Sequence, residues 1–204
     1  MTQGRIGFFG GSFDPPHRGH LAVVKAAAEA FGLEHVLLVP TAHQPLKPDG
    51  ATATYADRLE MVSLLCEGWV ELEASALDAP LADGGANYTI DTLRRLKDEL
   101  GSGDSVFVIV GADAFLDLRR WREPEELLAA AEWIVVTRPG FSLDRLDAVA
   151  ATEDQRARVH ILADVEEPVS ATEIRERLRE GRDCEELVPA GVLSYIYERH
   201  LYGA

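Results

Sequence analysis

The chain of 204 residues has two cysteines, Cys66 and Cys184, and three lysines against 17 arginines. Two thiols so far apart build no disulfide framework, and they are expected to be reduced thiols in a cytoplasmic protein. No cysteine cluster or Glu-x-x-His pattern supplies metal-ligand spacing, so no metal site made of protein side chains is expected. No apolar run reaches the ~18 residues of a membrane span, and no signal-peptide pattern precedes the first apolar stretch. A soluble cytosolic protein with no membrane partner is expected. Positive charge is also short, with 20 basic residues against 35 acidic and a net charge of −15. That argues against a nucleic-acid surface, which needs a basic stripe. Internal repeats, low-complexity segments and a clear domain linker are missing as well.

What is present is ordinary globular composition, 47% hydrophobic and 27% charged, in a length that suits one generous domain. Against the acidic background, a phosphate site must gather its few cations locally, and most of these are Arg, which grips phosphate bidentately. The most informative stretch begins with residues 5–9, a short apolar run suited to a buried strand. Gly10, Gly11 and Ser12 then turn the chain, Pro15 and Pro16 stiffen it, and a helix begins near Arg18. A strand, a Gly-rich turn and a helix start point free N–H groups and a helix dipole at one spot. Into that spot the sequence puts His17, His20 and the Ser12 hydroxyl. The P-loop pattern fails because neither Lys nor Ser/Thr follows Gly19, and G-x-G-x-x-G fails too. The plainer alternatives are a capped turn with incidental histidines, or a His pair awaiting metal ligands that the sequence does not provide.

Further along, residues 19–31 predict a helix and 34–40 a buried strand, a spacing that implies a right-handed parallel βαβ unit. Residues 40–54 are a Pro-rich loop carrying Lys47, which can reach a phosphate or stay solvated. A helix is expected over 55–66, a strand over 69–73, a loop over 76–88 and a helix over 89–100, with Thr89 near its start. The strand at 105–110 is the most apolar and is expected to be central. Gly111-Ala112-Asp113 ends it, where a carboxylate suits a ribose or a metal-bound water, or else caps the next helix. Trp121 among Arg119, Arg120 and Arg122 reads from the sequence alone as a core anchor more readily than as a ring platform. A strand at 132–137 leads to Arg138, residues 141–157 form a turn and a helix, and 159–162 form the last strand. Ser170 and Glu173 spell a capping box. The sharper reading of that helix start is a second phosphate site bearing Ser170, Thr172 and Arg175. A final helix over 189–200 opens on Pro189.

The stretch from Gly10 to His20 resembles the H-x-G-H loop of the nucleotidyltransferase superfamily. Later landmarks narrow this to bacterial nicotinate-mononucleotide adenylyltransferases, which the chain resembles along nearly its whole length. They are Arg58-Leu59-x-Met61, Tyr88 to Leu93, Gly111-Ala112-Asp113 with Trp121, Val135 to Gly140, Ser170-x-Thr172-x-x-Arg175, and Val188-Pro189 with Tyr195-Ile196. The resemblance implies an α/β, Rossmann-like doubly wound fold. Its sheet is mainly parallel with helices on both faces, in one nucleotidyltransferase domain over 1–204 whose helical part at 168–204 carries the second phosphate motif. It implies transfer of AMP from ATP to nicotinate mononucleotide, giving deamido-NAD and pyrophosphate, with Mg²⁺ arriving on ATP. His17, His20 and Arg175 would be catalytic. Gly10, Gly11, Ser12, Phe13, His20, Gly111, Asp113, Ser170, Thr172 and Arg175 would bind ATP. Ser12, Lys47, Thr89, Trp121 and Arg138 would bind the mononucleotide, and a homo-oligomer is allowed. Two departures stand out: Leu46 replaces the usual histidine of the 44–47 loop, and Ala171 stands where the family commonly has Ser. A phosphopantetheine or cytidylyl transferase and a non-catalytic nucleotide sensor are the competing readings.

Overall fold

Strands buried on both faces need continuous apolar runs, and Ser105-Val106-Phe107-Val108-Ile109-Val110-Gly111 is the clearest one here. In the computed structural model, which describes residues 4–43, 50–101, 103–137, 148–163, 165 and 169–204, it is a central strand of a six-stranded sheet. The strands are β1 (Arg5–Gly11), β2 (His35–Pro40), β3 (Leu72–Ala74), β4 (Ser105–Gly111), β5 (Glu132–Val136) and β6 (Val159–Leu162). Their order is β3-β2-β1-β4-β5-β6 and every pairing is parallel. This is the Rossmann-like, doubly wound sheet expected, and it is wholly rather than mainly parallel.

Among the described residues the helices are α1 (Arg18–Phe31), α2 (Tyr55–Cys66), α3 (Thr89–Glu99), α4 (Ala112–Leu116), α5 (Pro124–Ala130), α6 (Glu153–Ala157), α7 (Ala171–Arg179) and α8 (Ala190–Glu198). The period-2 alternation of β4 sorts them into two layers. Phe107 and Ile109 join one apolar cluster with Val24 of α1, Met61 of α2, Ile174 of α7 and Ile196 of α8. Val106, Val108 and Val110 join the other with Leu93 of α3, Phe115 of α4 and Leu127 of α5. The C-terminal helices thus share a core with the first half of the chain.

Four local expectations change. The strand expected at 69–73 begins at Leu72, because Trp69 and Leu72 sit in turns whose N–H groups reach Cys66 O and Trp69 O at 3.1 and 3.2 Å. Val70 is therefore 93% exposed, and the Trp69 ring takes the Lys25 ammonium at 3.9 Å instead. Helix α5 was not anticipated, although Pro124 at its first position with Glu125 and Glu126 in its first turn is an ordinary start signal. Pro189 is the N-cap of α8 rather than its first helical residue. The box expected at Ser170 does not form: Ser170 is the N-cap of α7 but makes no cap hydrogen bond, and Glu173 pairs with Arg177 at 2.7 Å.

Candidate active site

The two central strands part company before they end. Pairing of β1 with β4 stops at Phe8↔Val108, while β1 stays with β2 through Gly11↔Pro40 and β4 stays with β5 through Gly111↔Val136. Chain direction of the connections reverses at this pair of strands, which is where doubly wound sheets open a ligand crevice beyond their C-terminal ends. A cavity of about 360 Å³ lies there, with Gly10, Gly11, Tyr88, Thr89, Asp113, Trp121 and Arg122 in its wall. Gly11 is held to its size from below, since a Cβ would stand 3.2 Å from the Phe13 ring.

The histidine pair sits on the first turn of α1, because His17 is the N-cap and His20 lies three residues on. The rings stack with centroids 3.8 Å apart at 33°. His17 N–H donates to His20 Nδ1 at 3.2 Å, which leaves Nε2 to carry the proton of the neutral His20 ring. His17 Nδ1 is buried without a partner among the described residues. Burial draws the His17 imidazole down to about 4. Burial and the neighbouring His17 hold His20 well below its ordinary 6.5. Phe13 is 1% exposed, with a φ of 49°, and its ring backs His20 at 4.9 Å. Its side chain therefore supports the pair and is closed to a ligand.

Two arginines hold the surrounding backbone. Arg58, 2% exposed, donates Nη1 to Ser12 O at 2.7 Å and to Thr41 O at 2.9 Å, bracing the loops that leave β1 and β2. Arg175 donates Nη1 to Asp14 O at 2.6 Å and Nη2 to Thr172 Oγ1 at 3.3 Å. Thus α7, with its N-terminus left uncapped by Ser170, is joined to the loop that carries His17. The sequence reading gave Asp14 no role and Arg58 none beyond the resemblance.

On the pyridine side expected from the sequence, Tyr88 is the N-cap of α3 and Thr89 its first residue, with no side chain closing the cap. Trp121 is half-buried: an edge contact to Trp133, with centroids 6.5 Å apart, anchors it, and it also lines the cavity. The Trp133 contact bears out the core reading, and the place in the wall is compatible with the platform reading. Asp113 lines the cavity from the first turn of α4, whose N-cap is Gly111, so the capping alternative for Asp113 is wrong. Gly111 stands at the end of β4, where a Cβ would meet nothing within 4 Å. The wall also contains residues the sequence reading missed, among them Asp78, Asn87, Thr92, Asp117 and Arg120. Buried Asp78 accepts from Thr92 Oγ1 at 2.6 Å, and burial raises its carboxyl above the usual range. Only the Asn-Tyr-Thr start of α3 hinted at this wall. Lys47, Leu46 and Arg138 lie outside the described residues, and among those described no cluster of His, Cys, Asp or Glu is arranged to hold a metal ion.

A family model described as cytidylyltransferase-like matches residues 8–177. The chain is 40% identical over 200 residues to a probable nicotinate-nucleotide adenylyltransferase of Gloeobacter violaceus, covering 97% of this chain and 96% of that one. It is 37% identical over 198 residues to the corresponding probable enzyme of Solibacter usitatus, covering 97% and 99%. Among solved structures it is similar to Plasmodium falciparum nicotinic acid mononucleotide adenylyltransferase complexed with NaAD, with a TM-score of 0.79 over 98% of both chains. At 19% identity that likeness speaks to the fold alone. End-to-end similarity to such relatives shows that the chain belongs to the nicotinate-nucleotide adenylyltransferase family.

Proposed function

We propose that the protein transfers the adenylyl group of Mg-ATP to nicotinate mononucleotide, releasing pyrophosphate and forming deamido-NAD. One observation carries this reading. A stacked histidine pair and an arginine from α7 meet at one loop, beside an aromatic-walled cavity that opens at the same crevice. The 5′-phosphate oxygen of the mononucleotide attacks the α-phosphorus of ATP, and the bond to the bridging oxygen of pyrophosphate breaks. The attacking phosphate is already ionised, so no protein nucleophile or base is needed, and catalysis is positioning plus charge stabilisation. The His20 Nε2–H, the N-terminus of α7 and the Arg175 guanidinium are the donors for the phosphates. Mg²⁺ enters as part of the ATP substrate and keeps most of its ligands as phosphate oxygens and water.

Trp121 offers a face for the pyridine ring, and the uncapped start of α3 offers backbone N–H groups for its substituent. A carboxylate suits this position better than an amide, because the uncapped α3 N-terminus and the Arg122 guanidinium, 4.7 Å over the Tyr88 ring, are both positive. Among the described residues no helix is long and apolar enough to cross a membrane. Both cysteines are buried free thiols, which fits a reducing cytosol. The test is pyrophosphate release with Mg-ATP, comparing nicotinate mononucleotide, nicotinamide mononucleotide and phosphopantetheine, with CTP as the alternative donor. Strong preference for ATP and nicotinate mononucleotide is expected. Turnover of phosphopantetheine or CTP in their place would overturn the reading, and ATP binding without turnover would point to a sensor.

A further inference from the structure

We propose that Tyr202 is a positioning residue for the phosphate site: its hydroxyl holds the Asp14 carboxylate, and through Asp14 it fixes the Arg175 guanidinium. The inference rests on the reading above that Arg175 faces ATP phosphates.

Tyr202 belongs to a short 3₁₀ turn, Leu201–Gly203, that follows α8. His200, Tyr202 and Gly203 have φ values of 49°, 61° and 85°, so two residues with side chains occupy the left-handed region within one turn. Such a conformation persists only where its contacts over-determine it, and it is a pointer to function when those contacts lead to a site. Here they do. Tyr202 is 7% exposed and its hydroxyl donates to Asp14 Oδ1 at 2.8 Å. Asp14, 6% exposed, also accepts from Ala53 N at 3.0 Å on Oδ1 and from Thr52 N at 2.7 Å on Oδ2. Arg175 Nη1 stands 4.0 Å from Oδ2 and donates to the Asp14 carbonyl at 2.6 Å. One carboxylate therefore receives donors from the loop before α2 and from the C-terminal turn, while its own backbone carries the arginine. Burial beside the Asp14 charge pushes the Tyr202 phenol up, so it stays a donor throughout the working pH range.

A purely structural clasp would look similar in stability but not in kinetics. Tyr195 provides the control, since its hydroxyl donates at 3.0 Å to Asp57 on α2, a second phenol–carboxylate contact made by the C-terminal part of the chain. The experiment compares Tyr202→Phe, Tyr195→Phe and Arg175→Ala, with Tyr202→Phe also placed in the Arg175→Ala background, by melting temperature and by kcat and KM for each substrate. Tyr202→Phe is expected to lower kcat/KM for ATP about 10-fold, with KM for nicotinate mononucleotide within about 2-fold. That loss should shrink to under about 2-fold once Arg175 is Ala, as for two residues acting through one contact. Tyr195→Phe should lower the melting temperature and leave ATP kinetics alone. Should Tyr202→Phe fail to fold, Asp14→Asn carries the same test with the same coupling. An equal ATP loss in both backgrounds, no loss, or the same kinetic loss from Tyr195→Phe would overturn the proposal. A normal Arg175→Ala enzyme would instead overturn the phosphate role of Arg175 itself.

Discussion

Two imidazoles whose centroids lie 3.8 Å apart cannot both carry charge in the free protein, and burial already favours their neutral forms. On the reading that this pair faces ATP phosphates, their arrival reverses the balance by adding opposite charge. ATP binding near pH 6 should therefore take up protons, seen as a buffer-dependent enthalpy in titration calorimetry, and equal enthalpies in buffers of different ionisation heat would contradict it. The same residues tie stability to pH. The folded-state value of His17 is about 4, below its ordinary 6.5, so between these values the unfolded chain binds more protons. Stability is full above that window and falls by up to about 3 kcal/mol as pH drops through it. His17→Asn should flatten this part of the urea-unfolding profile. His20→Ala removes the Nε2–H donor and should lower kcat ~10²-fold, the usual scale for one transition-state donor. A variant that changed KM and kept kcat would remove that role.

At the scale of elements, the proposed reading gives recognition to helix starts. α3, whose first residues line the cavity, and α7, which Arg175 ties to the loop before α1, both begin without a side-chain cap, whereas α2 and α6 are capped by Thr54 and Thr152. An uncapped start keeps its N–H groups for an incoming anion. Beside the α3 start, the ion pairs of Arg122 among the described residues are loose, at 3.7 Å to Asp91 and 3.5 Å to Glu123. Its donors remain available for a substrate carboxylate. Arg122→Ala should lower kcat/KM for nicotinate mononucleotide about 10-fold and alter the nicotinamide substrate far less. Parallel losses for both substrates would show that Arg122 merely supports the Trp121 turn.

At the scale of the molecule, α7 and the C-terminal turn meet the loop before α1 at Asp14, through Arg175 and Tyr202. ATP should therefore protect residues 12–20 and 170–175 together in hydrogen exchange, while the mononucleotide alone protects the α3 start and Trp121. Protection of the first segment without the second would mean that α7 does not share the nucleotide. The acidic surface, net charge −15, makes this pooling of arginines necessary, since background charge repels both substrates.

Much of this was legible in the sequence because it is local. The loop from Gly10 to His20 is contiguous, so strand, turn and helix start could be read from residue types alone, and the apolar run of β4 announced its central place. Periodicity misled at Val70, where a turn broke the alternation, and the Ser170 box failed because Glu173 had a better partner one turn along in Arg177. Only tertiary structure decided which carbonyls Arg58 would hold, that Asp78 and Thr92 would form a cavity wall, and that Tyr202 would reach Asp14 across 188 residues. Helix and strand signals arise from neighbours within a few positions, whereas these contacts depend on how the layers pack, a distance that no local pattern encodes.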